Sequence, residues 1–206
     1  MDTDLARAWI TAIAASVVNE KQRLTDLDTA IGDGDHGNNL ERGFTAAVTA
    51  LAGDDAACPG DILVRTGRTL ISRVGGAAGP LYGVAFRTAG ERLTEPEAGL
   101  GELAEALTAG ADAVRTLGGA RPGDKTMLDA FMPAVDALDA GAAEGSGLAA
   151  AVDTAAAAAE EGARSTVPMQ ARKGRASYLG ERSIGHEDPG AASTAVIFRA
   201  LARVVS

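Results

Sequence analysis

Cysteine is almost missing from this chain of 206 residues, where Cys58 stands alone. One thiol makes no internal disulfide and no thiolate zinc cluster, and such sparing use fits a reducing compartment. Histidine occurs only twice, which leaves zinc without its other usual ligand. Aromatic residues are 3% of a chain that is 46% hydrophobic, so Ala, Leu and Val carry the apolar content. That balance suits close-packed helices better than an aromatic-rich β-sandwich. Positive charge is short as well. With 19 Lys and Arg against 28 Asp and Glu, the net charge of −9 disfavours unassisted binding to nucleic acid or to anionic membrane. No apolar run approaches membrane-spanning length. The stretch "ARAWITAIAASVV" follows Asp2 and Asp4 where a leader peptide needs positive charge, and Trp9, Ile10, Ile13 and Val17 fall on one helical stripe. It reads as an amphipathic first helix, and the expected location is the cytoplasm.

Helical periods recur between glycine-rich breaks, at about 4–22, 38–52, 60–74, 80–94, 101–117, 126–141, 147–165 and 191–205. Strand-like alternation is absent. With neither linker nor repeat, residues 1–206 are expected to form one all-α domain of about eight helices. Pro80 suits a first helical turn, and Asp124 is a candidate N-cap. The Ala-rich run "LAAAVDTAAAAAEEGAR" reads as a helix packed through small side chains. Segment 166–190, "TVPMQARKGRASYLGERSIGHEDPG", is the exception, polar and basic with no sustained helical stripe. Long structureless loops of this kind are usually functional or disordered, and repulsion among Arg172, Lys173 and Arg175 would be relieved by an anion.

The densest cluster of chemistry is "IGDGDHGNN" at 31–39. Asp33 and Asp35 lie two apart, and Asp28 lies five before Asp33. On a continuous helix five residues overshoot a full turn by roughly 140°, so the three carboxylates would diverge. Gly32, Gly34 and Gly37 free the backbone to bend and aim them at one point. Oxygen ligands of this kind favour Mg²⁺ or Ca²⁺. An EF-hand is excluded, because Gly37, Asn38 and Phe44 occupy positions where its loop needs other residues. The plainer alternative is an Asx-type turn capping the next helix, although three acids exceed what a cap requires. Mg²⁺ completed by phosphate oxygens fits best.

Three further stretches bear on a phosphate ligand. "RVGGAAGPLYG" at 73–83 puts glycines ahead of a helix start, which can present backbone N–H groups to phosphate or simply join two helices. "RPGDKTM" at 121–127 resembles the end of a P-loop, but Asp124 separates Gly123 from Lys125 and no strand precedes it. It reads as a turn that leaves Met127 free to pack on an apolar surface such as an adenine face. Three carboxylates and a diphosphate bring together about six negative charges; two divalent ions leave about two, which an arginine can offset. Arg175, near the middle of the basic loop, is the candidate. Asp188 either caps the last helix or orders the loop by pairing. His36 and His186 have no evident nucleophile to activate.

The stretches "LDTAIGDGDHGNNLERGF", "GGAAGPLYG", "PGDKTMLDAF" and "TVPMQARKGRASYLGERSIGHEDPGAAS" together resemble the nucleotide-binding L subunit of the dihydroxyacetone kinases, in order and across essentially the whole chain. The resemblance implies a single-domain antiparallel eight-helix barrel that binds ADP and Mg²⁺ at one end. The family's metal-binding aspartates fall on Asp28, Asp33 and Asp35. Its nucleotide contacts fall on His36, Gly37, Asn38, Asn39, Ala77, Ala78, Gly118, Met127, Arg175, Asp188, Pro189 and Gly190. Gly118 comes from the resemblance alone. Ala78 stands where the family often has Ser, which removes a hydroxyl from the phosphate side.

In the phosphotransferase-dependent form of that family, a phosphohistidine carrier (the M subunit) phosphorylates bound ADP in place. The γ-phosphoryl then passes to dihydroxyacetone on a separate K subunit. A free-standing chain of this length looks like that form, with tightly bound ADP/ATP and two Mg²⁺ ions as expected cofactors. No side chain of the L subunit need act as base or nucleophile, since phosphoryl transfer is mostly positioning and charge neutralisation. Three alternatives stay open: an L-type subunit that exchanges free ATP, the nucleotide domain of a fatty-acid kinase, and a regulator whose nucleotide state is read by a transcriptional regulator. His36 and the "ARKGRASYLGERSIGH" loop disfavour the second, and the intact acid trio disfavours a purely regulatory role.

Overall fold

Asp2 begins the first helix, its carboxylate accepting from the Leu5 amide at 2.8 Å. From there α1 runs through Thr3–Ile31 in the computed structural model, which describes residues 1–53 and 55–206. The helix continues well past its expected end near 22. Its polar middle hides the stripe, but Leu24, Asp28 and Ile31 keep the buried face going at helical spacing. The other helices are α2 (His36–Leu51), α3 (Pro59–Arg73), α4 (Ala78–Gly90), α5 (Leu100–Gly118), α6 (Leu128–Ala143), α7 (Leu148–Ser165) and α8 (Pro189–Val205). Among the described residues there is no strand, only an isolated bridge between Asp2 and Glu97.

Two local expectations are corrected. Asp124 does not cap α6. It accepts from the Arg121 amide at 3.0 Å and closes a turn, while Asp129 takes the amides of Gly123 and Thr126 (the latter at 2.7 Å) ahead of the helix. Segment 166–190 is not structureless either, because Arg175–Ser183 winds as a 3₁₀ helix kinked at Gly180. A three-residue turn leaves no 3.6-residue stripe, so a search for α periodicity passes over it.

Each helix packs on the next, and α8 returns to α1, which closes an antiparallel barrel. The four Phe and the single Trp all lie in its core, where Trp9 and Phe86 meet tilted with ring centroids 5.5 Å apart and Phe131 and Phe198 meet edge to face at 5.6 Å. Trp9 also donates its indole N–H to the Ile197 carbonyl at 3.0 Å, which ties the closing seam between α1 and α8. Helices α3 and α4 approach through glycines. A Cβ on Gly60 would sit 2.3 Å from the Gly90 carbonyl, and one on Gly67 would sit 2.5 Å from that of Gly83. The pairs 60–90 and 67–83 run in opposite directions at seven-residue spacing, as an antiparallel contact requires.

In an up-and-down barrel, alternate connections share an end. The connections α1–α2, α3–α4, α5–α6 and α7–α8 therefore meet, and these are the ones that carry the acid cluster, the glycine run, the "RPGDKTM" turn and the basic loop. No helix among the described residues is long and apolar enough to cross a membrane.

Candidate functional site

At that end lies a cavity of about 400 Å³. Asp28 occupies the last turn of α1, and the chain breaks at Gly32, where any Cβ would fall 2.0 Å from Asp28 Oδ1. Gly34 then takes a left-handed φ of 72°, and α2 starts at His36. This reversal points the Asp35 and His36 amides back at Asp28 Oδ2, at 2.8 and 3.1 Å. Asp28 is thus buried and fixed by two backbone donors. Asp28, Asp33 and Asp35 each offer a carboxylate oxygen within 4.8 Å of the others. Such an all-oxygen set fits a hard divalent cation, and Gly32 lets the chain pass close to the Asp28 carboxylate.

On the opposite wall, Gly75, Gly76, Ala77 and Ala78 lead into α4, whose start has no side-chain cap. Its first amides are therefore free for an acceptor. Arg42 braces this wall, donating to the Arg73 carbonyl at 2.8 Å and to Asn39 Oδ1 at 2.7 Å. The Asn39 amide nitrogen is turned toward Gly76 as a result. The mouth is apolar on the α5 side, where Leu81, Val114, Leu117, Met127 and Leu128 line it.

The floor is a buried polar network. Tyr82 Oη bonds Ser193 at 2.6 Å and Thr194 at 2.9 Å, and donates to the Gly190 carbonyl at 3.0 Å. Ser193 in turn meets His36 Nε2 at 2.8 Å. Burial pushes the His36 imidazole below its ordinary value, against the pull of Asp28 and Asp35. Burial also raises the Tyr82 hydroxyl. Asp188 caps α8 through the Ala191 amide at 2.7 Å. Burial pushes its carboxyl up to about 7, although the Ala191 amide and Lys125 favour the charged form.

From the α7–α8 connection, Lys173 and Arg175 reach the cavity, and Arg175 pairs with Asp33 at 2.9 Å. Of the residues expected from the sequence, Asp28, Asp33, Asp35, His36 and Asn39 line the cavity together with Ala77, Ala78, Gly118, Met127 and Arg175. Asp188, Pro189 and Gly190 complete that set. Gly37 and Asn38 do not. Successive helical residues turn by about 100°, so His36 and Asn39 share one face while the two between them point elsewhere. Gly37 faces α1, where a Cβ would sit 2.3 Å from the Lys21 carbonyl, and Asn38 is exposed. His186 sits outside the lining. Sequence reasoning misses Arg42, Tyr82, Ser193 and Thr194. Their spacing carries no signal, because α2, α4 and α8 meet only in the closed barrel.

Residues 30–203 match the DAK2 domain family. The chain is 46% identical over 195 residues to the ADP-binding subunit DhaL of the PEP-dependent dihydroxyacetone kinase of Escherichia coli (strain K12), covering 94% of this chain and 93% of that protein. It is 39% identical over 200 residues to the ADP-binding subunit DhaL of PEP-dependent dihydroxyacetone kinase 1 of Listeria innocua, covering 97% and 96%. The dihydroxyacetone kinase of C. freundii, solved with AMP-PNP and Mg²⁺, aligns with a TM-score of 0.74 at 27% identity over 98% of this chain. The match takes in 34% of that solved chain, so the barrel corresponds to about a third of it.

Proposed function

This chain belongs to the DAK2 domain family, and on that premise we propose that it is the ADP-binding subunit of a phosphotransferase-dependent dihydroxyacetone kinase. The observation that carries the reading is the facing of three carboxylates, within 4.8 Å of one another, by an arginine and an uncapped helix start across one cavity. Asp28, Asp33 and Asp35 hold two Mg²⁺ ions, which supply neutralisation of phosphate charge when bound. The α4 amides after Gly76 and the Arg175 guanidinium take the phosphate oxygens. Met127 and its apolar neighbours receive the adenine, while His36 and Asn39 fix the approach between metal and phosphate.

His36 Nε2 meets the Ser193 hydroxyl at 2.8 Å, but that hydroxyl is fully buried among Tyr82 and the Gly190 carbonyl, and no nucleophile or base is needed for this chemistry. A phosphohistidine carrier gives its phosphoryl group to ADP, which becomes ATP and frees the histidine. The γ-phosphoryl then passes to a hydroxyl of dihydroxyacetone on a separate K subunit, and ADP remains. What this chain contributes is alignment and charge compensation.

The test is to purify the protein with Mg²⁺ and no added nucleotide, dialyse it at length, denature it and quantify what is released. Near one ADP per chain implies a dissociation constant of roughly nanomolar or tighter and a resident nucleotide. An empty protein that binds ATP weakly and reversibly would favour a subunit that exchanges free ATP instead.

A further inference from the structure

Lys125 lies in the turn that resembles the end of a P-loop, where a lysine would reach for phosphate. Its ammonium is used otherwise. The residue is 1% exposed, and Nζ donates to the carbonyls of Thr166 at 2.9 Å, Met169 at 3.1 Å and Ser183 at 2.8 Å, and to that of His186. An ammonium has three protons and here faces four acceptors, so no donor is left for a ligand. The acceptors come from both arms of one loop: Thr166 and Met169 on the way out, Ser183 and His186 on the way back. Lys125 is also the sole residue other than glycine with positive φ, 62°, among the described residues. Glycine would suit that backbone better, so the side chain must offset the strain.

Shorter ties close the same loop base. Arg172 donates its amide to the Asp124 carbonyl at 3.0 Å, Gly185 to that of Val167 at 2.8 Å, and Ala171 to Ser183 Oγ at 2.9 Å. Beyond these ties only the tip remains. The loop rests on α1 through Ala171 at its base and Ala176 in its tip, both against Ile31, and the tip carries Arg175 to Asp33.

We infer that Lys125 is a positioning residue for the nucleotide site, knotting both arms of the 166–186 loop so that its tip holds Arg175 over the acid cluster. The inference rests on the nucleotide reading above. Lys125 acts through Arg175 and does not touch phosphate. Removing the ammonium takes a donor from four carbonyls on both arms, of which that of Thr166 keeps the Met169 amide at 3.1 Å, and the loop loosens before the barrel does.

The experiment is a double-mutant cycle on the full chain, with Mg²⁺-ADP as the probe and amide hydrogen exchange as the second readout. Lys125→Met is expected to weaken Mg²⁺-ADP about tenfold or more. In an Arg175→Ala background the same change should cost no more than about twofold. The amides of Ala171, Arg172 and Gly185 should lose protection while those of the eight α-helices keep theirs. Lys125→Arg should not rescue, because a planar guanidinium does not fit a site shaped for an ammonium. Ser183→Ala, which opens the loop base without touching the cavity, should show the same coupling at smaller size, and it carries the test if Lys125→Met does not fold. Losses that add to that of Arg175→Ala, or a loss of affinity with loop protection unchanged, would overturn the inference in favour of a direct ligand. A wild-type chain that binds no Mg²⁺-ADP would instead bring down the nucleotide reading, and this inference with it.

Discussion

Arg175 and Asp33 meet at 2.9 Å, bridging the α7–α8 connection to the acidic turn after α1. Both side chains are substantially exposed, so the pair contributes little stability as an ion pair. Its importance is positional, since it sets the cation expected to compensate phosphate beside a carboxylate expected to hold metal. Arg175→Ala should therefore speed release of Mg²⁺-ADP about tenfold or more, with little change in melting temperature. Arg182→Ala, at the far end of the same 3₁₀ stretch and outside the cavity, should change it less than about twofold. Release rates from a labelled nucleotide check this, and equal small effects would take Arg175 out of the site.

Asp33→Asn keeps the size of the side chain and removes its charge. A hard cation loses a strong ligand, and the remaining acids bind it poorly. Bound nucleotide and phosphoryl transfer should disappear together while the helical circular dichroism spectrum is retained. A variant that still carries Mg²⁺-nucleotide and transfers normally would sink the metal assignment.

Ala78 is the first residue of α4, whose start lacks a side-chain cap. Ala78→Ser adds a hydroxyl beside the amides proposed to face phosphate. One further hydrogen bond is worth about 1 kcal/mol, so Mg²⁺-ADP should bind roughly fivefold tighter. Calorimetric titration decides, and unchanged affinity would place phosphate away from this residue.

The architecture is legible in the sequence because strong periodicity and glycine breaks mark eight helices, and because the acids, glycines and basic loop fall on alternate connections. What stays hidden follows from three-dimensional closure. Asp28 reads as part of a loop-like cluster, yet it ends a helix whose polar middle obscures the stripe. Gly37 and Asn38 read with His36 and Asn39 as one contiguous run, although a helix shows one face. Lys125 looks like a fragment of a phosphate motif, and only the folded loop reveals the four carbonyls it serves.

Asp188 gives the folded state a pH signature. Its carboxyl moves from 3.8 to about 7, chiefly by burial, with Asp129 adding to the rise and the Ala191 amide and Lys125 opposing it. Between those two values the folded protein holds a proton that the unfolded chain has released, so stability from this group is present at low pH and lost as pH rises through about 7. Asp188→Asn can still cap α8 but cannot titrate. Relative to wild type, the variant should gain stability between pH 5 and pH 8, on the order of a few kcal/mol. Urea midpoints at both values test this; a constant difference would refute it.

The glycine contact between α3 and α4 sets two effects of the same substitution against each other. In an exposed helix Gly→Ala stabilises by about 0.5–1 kcal/mol, because alanine loses less backbone freedom on folding. Gly101, in the first turn of α5, has no atom within 4 Å of the place a Cβ would take, and Gly101→Ala should raise the melting temperature by a few degrees. At Gly67 the same Cβ would stand 2.5 Å from the Gly83 carbonyl and 2.6 Å from the Arg87 nitrogen. Both are backbone atoms, so relief requires the helices to separate, and overpacking of this kind costs about 1–3 kcal/mol. The clash outweighs the propensity gain, and Gly67→Ala should lower the melting temperature. Because α4 also carries Ala78 and Tyr82 to the cavity, shifting it should weaken Mg²⁺-ADP binding as well. Scanning calorimetry of the two variants gives opposite signs if the helices are held this close, and the same sign if they can part freely.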